Sequence, residues 1–401
     1  MTTMPSLRVV GLADPPATSV VEVDTEVSLM LSLCYAEPPT GPGFPLHLAV
    51  IPVGDAGLGA HDPSQYLVAL RPGDQLSLPG RGTFTVGVEQ GRTAIEDACR
   101  AAFAAPTESL TEALHLGRTL LEADTRDGVA RRIILAVFAT GPEQVDGLLA
   151  AATAVNECQL GADVFCRSSQ TDAGLLIRLA NLGGGEIAMC SDSAAVCAAM
   201  ATRFAALGQQ HLLDVRMELD FSPGLVPGRL YRVAPTPVYL GTVRVTGTDR
   251  KLLIDPGPVA LGLEPSFLLT LNLGRRRVGR YRLLDARIRH RSTGARAFST
   301  QTTVVFPCTD SPLDLQVCEA AVVAARDRVE PAGWIEDATR FFGQGDHRGV
   351  ATTLERISRR FLELGRPAEA AFSLEARTRY LRTAHLDRSD VNRLRRMALG
   401  R

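Results

Sequence analysis

Apolar residues in this chain follow three kinds of spacing. Between Phe44 and Leu207, continuous apolar runs alternate with segments of helical period. The run Leu46–Val53 is apolar nearly throughout and ends in a Gly-rich turn, Gly54–Gly59, as a central strand does when both its faces are buried and a loop follows. Arg131–Thr140, Ala162–Cys166 and Glu186–Cys190 predict further strands of the same sheet, and Thr83–Val88 alternates as an edge strand. His61–Leu70 has room for a short helix, and Asp74 is read as a residue of a Pro-Gly-Asp turn. Helical spacing covers Thr93–Ala104, where Ile95, Ala98, Ala102 and Phe103 share a face, then Leu110–Ala123, Val145–Cys158, Asp172–Leu182 and Ala194–Leu207. Gly183–Gly185 closes a helix as a C-cap. That is the wrong end of a helix for holding a phosphate.

From Leu212 the spacing shortens. Val215–Phe221, Leu230–Arg232, Tyr239–Val245, Lys251–Ile254, Phe267–Leu273, Gly279–Arg289 and Thr302–Val305 are β-rich runs split by Pro, Gly and Asp, the pattern of an antiparallel sandwich. Residues 1–16 carry turn residues and one short apolar run, Leu7–Gly11. Val20–Tyr35 alternates but has no neighbouring strand before the breaker Ala36–Gly43, so it is expected to join the later strands. The α/β segment is then an insertion within the sandwich. Asp314–Arg401 is helical: Leu315, Cys318, Val322, Ala325 and Val329 form one stripe, and Trp334–Phe342, Val350–Leu364 and Ala368–Leu381 follow as antiparallel hairpins, a tail expected to pack on the sandwich. The expected division is 1–43 (first sandwich strands), 44–210 (α/β domain), 211–312 (sandwich) and 313–401 (helical domain).

Length agrees with that division, since 401 residues are a prior for about two to three domains. A net charge of −1 argues against a global affinity for nucleic acid or a membrane surface. The N-terminus lacks the apolar core of a secretory signal, and no apolar run reaches the roughly 18 residues of a membrane span. The eight cysteines form no C-x-x-C pair and lie in apolar surroundings, as expected of buried reduced thiols in a cytoplasmic protein. The histidines show no metal-ligand spacing.

Pro45-Leu46-His47-Leu48-Ala49-Val50-Ile51 resembles the first strand of a von Willebrand factor type A (VWA) domain, "P-L-n-L-A-l-V-L-D-r-S-G-S-M". Thr107, followed by Ala113-Leu114, is similar to that family's "G-G-T-n-l-x-x-A-L" loop, and Leu175–Cys190 to its "L-L-x-x-i-A-x-x-g-G-x-y-y". Gly262–Ser266 resembles a turn of bacterial VWA proteins with a flanking β-sandwich. The resemblance implies a Rossmann-like α/β VWA domain inserted in an antiparallel β-sandwich, followed by a C-terminal α-helical region. In the family an Asp and two Ser of the first loop, a Thr of the second and an Asp of the third hold a divalent cation at the metal-ion-dependent adhesion site. Here those first-loop positions fall on Val53, Asp55 and Gly57, or, with a one-step shift, on Asp55, Gly57 and Gly59. Thr107 keeps the Thr position and Thr140 stands where the third-loop Asp belongs. Asp55 and Thr107 are then vestiges of a degenerate site that holds no metal, and no cofactor is expected. One or two oxygen ligands do not offset the dehydration of Mg²⁺.

The sequence shows no G-x-S-x-G, H-E-x-x-H or P-loop, so no enzyme activity is expected. The resemblance implies a cytoplasmic bacterial scaffold module that binds other proteins, such as an AAA+ ATPase, kinase or protease of one system. The partner is expected at the loop face of Gly54, Asp55, Gly57, Thr107 and Thr140. The alternative is a subunit that binds nucleic acid or an acidic partner through two arginine-rich stretches, Arg275–Arg291 and residues 340–401, the second of which holds fourteen arginines against seven acids. The opposing reading of those arginines is solvated faces with i,i+4 pairs such as Glu355–Arg359.

Overall fold

The computed structural model describes residues 7–14, 18–19, 25–35, 43–54, 62–87, 92–124, 126, 128–140, 143–167, 172–245, 250–257, 259, 265–274, 276–292, 297–309 and 319–398. Asp55, Gly57, Gly59, Gly262, Arg275, Leu315 and Cys318, named above, lie outside the described residues, as do residues 20–24. The chain begins with β1 (Leu7–Asp14), β2 (Thr18–Ser19) and β3 (Thr25–Tyr35). Next come β4 (Leu46–Val53), α1 (Ser64–Leu67), β5 (Gln75–Leu78), β6 (Gly82–Thr85), α2 (Arg92–Phe103), α3 (Leu110–Glu122) and β7 (Ala130–Val137). The α/β segment closes with α4 (Val145–Glu157), β8 (Ala162–Arg167), α5 (Ala173–Leu182), β9 (Ile187–Cys190) and α6 (Ser193–Gly208). The following strands are β10 (Leu212–Phe221), β11 (Leu225–Ala234), β12 (Val238–Thr242), β13 (Lys251–Ile254), β14 (Ser266–Leu273), β15 (Gly279–Ser292) and β16 (Ala297–Thr309). Four helices end the chain: α7 (Ala320–Gly343), α8 (His347–Glu363), α9 (Pro367–Thr383) and α10 (Arg388–Ala398).

One sheet runs β6-β5-β4-β7-β8-β9, parallel except for the edge strand β6. All eight residues of β4 are buried. Leu46, Leu48 and Val50 pack with α1, α2 and α6, through Tyr66, Phe103 and Phe204 among others. Ala49, Ile51 and Val53 pack on the other face with α3, α4 and α5. A strand with helices on both faces needs apolar side chains at consecutive positions, and that is why its run is unbroken.

The remaining strands form two five-stranded sheets, β1-β3-β14-β11-β12 and β13-β10-β15-β16-β2. They enclose one core in which Val27, Leu29, Leu31 and Leu33 of β3 meet Met217, Phe221, Leu284 and Ile288. Burying each such side chain is worth roughly 1.5–3 kcal/mol. β3 pairs antiparallel with β14, Thr25 opposite Leu273 and Leu31 opposite Phe267. Its other neighbour is β1, which extends the short run Leu7–Gly11 through to Asp14. The two ends of the α/β segment meet at one seam. The Phe44 N–H donates to the Gln210 carbonyl at 2.9 Å. Arg71 donates from Nη1 to Gly208 O at 2.8 Å and to Gly43 O at 3.3 Å, and from Nη2 to Phe44 O.

The tail differs from the expected hairpins at its start. Pro331 lies inside one 24-residue helix, α7, and does not end it. Burial on both sides of the proline holds the helix together: Val322, Ala325 and Val329 pack on Tyr231, Val233 and Leu268 of the sandwich, while Trp334 and Ile335 pack on α8 to α10. The tail also reaches the α/β layer, where α10 packs on α5.

Candidate functional site

β4 and β7 carry their C-terminal ends to a common loop face. Gly54, the first residue after β4, has φ +73°, and an added Cβ would lie 2.5 Å from the Ala139 carbonyl. Only glycine permits this approach of two backbones. The Gly54 N–H donates to Thr107 O at 2.9 Å, and the Thr107 N–H donates to Pro52 O at 3.0 Å. The Thr107 hydroxyl also donates to Pro52 O, at 3.0 Å. Val53, Gly54, Thr107 and Ala139 are thus brought together, and Thr140 follows Ala139, half-buried. Thr107 serves to tie its loop to β4. The N-cap of α3 is Ser109, whose side chain accepts from the Glu112 N–H.

The sequence reading missed Glu143, three residues after Thr140. Its carboxylate accepts from the Leu110 N–H, from the Thr111 hydroxyl at 3.1 Å and from the Ser109 hydroxyl at 3.4 Å. A carboxylate at a helix N-terminus is favoured by the macrodipole and satisfies an orphan N–H. An acid just before the predicted helix Val145–Cys158 was the one signal in the sequence, but it caps the neighbouring helix rather than its own. Other carboxylates of this face are engaged in the same way. Asp62 accepts from Ser64 N, Asp172 from Gly174 N and Leu175 N, and Asp192 from Ala195 N. The Ala195 N–H, together with the Ser191 hydroxyl, holds the Asp192 carboxyl below the usual range. Arg388 of α10 pairs with Asp172. Among the described residues, no three His, Cys, Asp or Glu side chains group as metal ligands.

Two buried polar clusters lie away from this face. His47 Nδ1 is 2.7 Å from Asp124 Oδ2 and Nε2 is 2.8 Å from Ser77 Oγ, which is 2.6 Å from Thr83 Oγ1. Arg126 holds the Asp124 carboxyl well below its ordinary value, so Asp124 is ionised and accepts from Nδ1–H. Burial lowers the His47 pKa although Asp124 opposes this, so the ring is neutral and Nε2 accepts from Ser77. The order Asp–His–Ser is that of a nucleophile relay. Ser77, however, has no exposed surface, which puts its Oγ out of reach of a substrate. In the second cluster, Asp163, fully buried, accepts from Arg132 and Arg203, each at 2.9 Å at its shortest. Burial alone would raise that carboxyl, but the two guanidiniums outweigh it and hold it low. Asp74 is a turn residue, accepting from Arg71 N at 2.8 Å and Leu46 N at 2.9 Å.

Many arginines of the two basic stretches are ion-paired. Arg282 meets Asp285, Arg291 meets Asp214, and in the tail Arg377 meets Glu355, Arg379 meets Asp390 and Arg395 meets Glu336. Arg359 and Glu355 are 3.8 Å apart and exposed. Arg356 and Arg393 lie over the rings of Trp334 and Phe372.

A mostly parallel sheet, covered by α1, α2 and α6 on one side and α3, α4 and α5 on the other, with loops gathered at the strand C-termini, is a doubly wound α/β fold. Together with the two flanking sheets and the helical tail, it is the fold of von Willebrand factor type A proteins. A von Willebrand factor type A structure from Catenulispora acidiphila matches with a TM-score of 0.70 at 12% identity, over 99% of this chain and 97% of that one. The ArnB paralog VWA2 from Sulfolobus acidocaldarius matches with a TM-score of 0.48 at 11% identity, over 98% of each chain. No protein-family model and no curated protein sequence matches the chain.

Proposed function

We propose that the chain is a non-enzymatic scaffold that binds a partner protein, without a metal ion, at the loop face of Gly54, Thr107 and Thr140. The observation that carries this reading is the state of the face's oxygen ligands. Thr107 donates its hydroxyl proton to Pro52 O, and Glu143, Asp172 and Asp192 are engaged as helix caps. Val53 and Thr140 stand where the VWA pattern has acids. Such a donor set does not fit a hydrated divalent cation, which needs several free oxygens. What the face offers instead is close backbone approach and little free charge, as interface cores do. In this reading the α/β segment is an insertion in the sandwich, supported by the β3–β14 pairing. The partner is an AAA+ ATPase, kinase or protease of a bacterial cytoplasmic system. Among the described residues no helix is long and apolar enough to cross a membrane. Ion pairing within the basic stretches leaves less charge for a nucleic-acid backbone, so the loop face is preferred.

The test is a Thr140→Arg variant, which puts a bulky charge on the rim. It is expected to keep the wild-type melting temperature and lose the partner in pull-down. Full retention of binding, together with its loss on truncation after Pro312, assigns the interaction to the tail and overturns the proposal.

A further inference from the structure

At the other end of the parallel strands, a polar cleft of about 110 Å³ opens between the α/β layer and the sandwich. Its walls carry Arg131 and Arg132 of β7, Arg216 of β10 and Arg291 of β15, against two carboxylates, Asp214 and Asp255. We propose that this cleft binds a phosphate group, either free or as the terminal phosphoryl of a small molecule, through Arg131, Arg132 and Arg216.

The pairing pattern singles out these three arginines. Arg291 is engaged, its Nε 2.7 Å from Asp214 Oδ2. Arg131 and Arg216 are half-buried and make no hydrogen bond or ion pair with any described residue. Arg132 is 8% exposed. It donates from Nε and Nη2 to Asp163, and from Nη2 to Gly184 O as well, while Nη1 has no partner among the described residues. That Nη1 lies against Gly161 of the cleft wall, in space a Cβ would take. Arg132, a buried guanidinium with an open donor in a cleft that Arg131 and Arg216 also line, offers an N–H to a tetrahedral oxyanion.

The backbone gives a separate observation. Three non-glycine residues among those described have positive φ: Gln159 (59°), Asp214 (53°) and Ala384 (50°). Two of the three, Gln159 and Asp214, line this cleft. Such conformations persist where the surroundings over-determine them, and they gather at ligand sites. Asp214 sits where the β10–β15 register shifts by one residue, between Leu213 and Arg216. A bulge of this kind re-aims the side chains around it. Here Asp214 meets Arg291, and Arg216 stands at the cleft. Asp255 is exposed and accepts from the Gly257 N–H at 2.9 Å, which takes up part of its acceptor capacity. The cleft, about 110 Å³, has room for an anion the size of phosphate.

The experiment measures melting temperature and calorimetric binding of the full chain with inorganic phosphate and with O-phosphoserine, at constant ionic strength, against chloride and serine. A saturable, phosphate-specific rise in melting temperature is expected. Arg216→Gln and Arg131→Gln should each weaken binding at least tenfold while leaving the ligand-free melting temperature unchanged. Tighter binding of phosphoserine points to a terminal phosphoryl group, and tighter binding of inorganic phosphate to the free anion. No rise beyond that in chloride, or undiminished binding in both variants, overturns the proposal. Neither outcome bears on the loop-face reading, because the cleft lies at the opposite ends of the strands.

Discussion

His47 Nε2 lies 2.8 Å from Ser77 Oγ, across two neighbouring parallel strands, and both side chains are buried. The contact joins β4 to β5 where their backbones have little else to pair them, since the registered stretch is only three residues long. Replacing the imidazole removes one of two partners from each of Ser77 and Asp124, which keep Thr83 and Arg126. His47→Ala is therefore expected to cost about 1–3 kcal/mol in urea unfolding. The pH dependence has a definite sign. Burial lowers the folded pKa of His47, so the unfolded state binds the proton more readily. Its contribution is full above the unfolded value of about 6.5 and is lost as the pH falls through the lower folded value. The variant should show a flatter stability slope in that window. An unchanged slope would assign it to His211 and His290, which burial also lowers.

Asp163→Asn keeps the shape of the buried cluster and removes its central charge. Arg132 then loses its counter-ion and Arg203 keeps only Glu186. Breaking a buried pair from one side typically costs about 3–5 kcal/mol, and chemical denaturation of the variant should give a loss of that order. In the wild type the Asp163 carboxyl is held low, so its stabilisation is present above the ordinary Asp pKa and is lost only as the pH falls through the lower folded value. A loss below ~1 kcal/mol would mean that the cluster is solvated.

Gly54 and Gly73 separate conformational strain from steric collision. Both have positive φ, +73° and +92°. A Cβ at Gly73 meets nothing within 4 Å, whereas one at Gly54 meets the Ala139 carbonyl at 2.5 Å. Gly73→Ala should cost about 1–2 kcal/mol. Gly54→Ala should cost clearly more and, in addition, broaden the amide signals of the Thr107 loop. Equal losses would show that the loop face yields to a methyl group.

Millimolar Mg²⁺ or Mn²⁺ is expected to leave the melting temperature unchanged, because Glu143, Asp172 and Asp192 are engaged as helix caps and Thr107 adds a single hydroxyl oxygen. A ligand present at a hundred times its dissociation constant would add about 2.7 kcal/mol. A shift of several degrees that disappears in Thr107→Ala would restore the ion to this site.

The parallel sheet was legible because β4 and β7 are buried on both faces, and few environments besides the middle of such a sheet accept an unbroken apolar run of that length. Thr107 was legible as a loop residue, but its role was not. A hydroxyl three residues before a helix resembles a cap, and only the position of Pro52 O shows that it ties the loop to the strand. Glu143 could not be read, because a carboxylate capping a different helix depends on the packing of α3 against α4. In the sequence the stripe to Val329 and the segment from Trp334 read as separate pieces, and α7 runs through Pro331 between them because both halves of the helix are buried. The cleft arginines Arg131 and Arg216 carry no sequence pattern at all, since they come from different sheets.

The seam at Phe44 and Gln210 has a mechanical consequence. A load applied to the strands on either side of the α/β segment passes between those two residues, through one N–H···O bond and the Arg71 clamp, without crossing the parallel sheet. Tension between the flanking strands is therefore met first at the entry and exit of the α/β segment, ahead of its sheet.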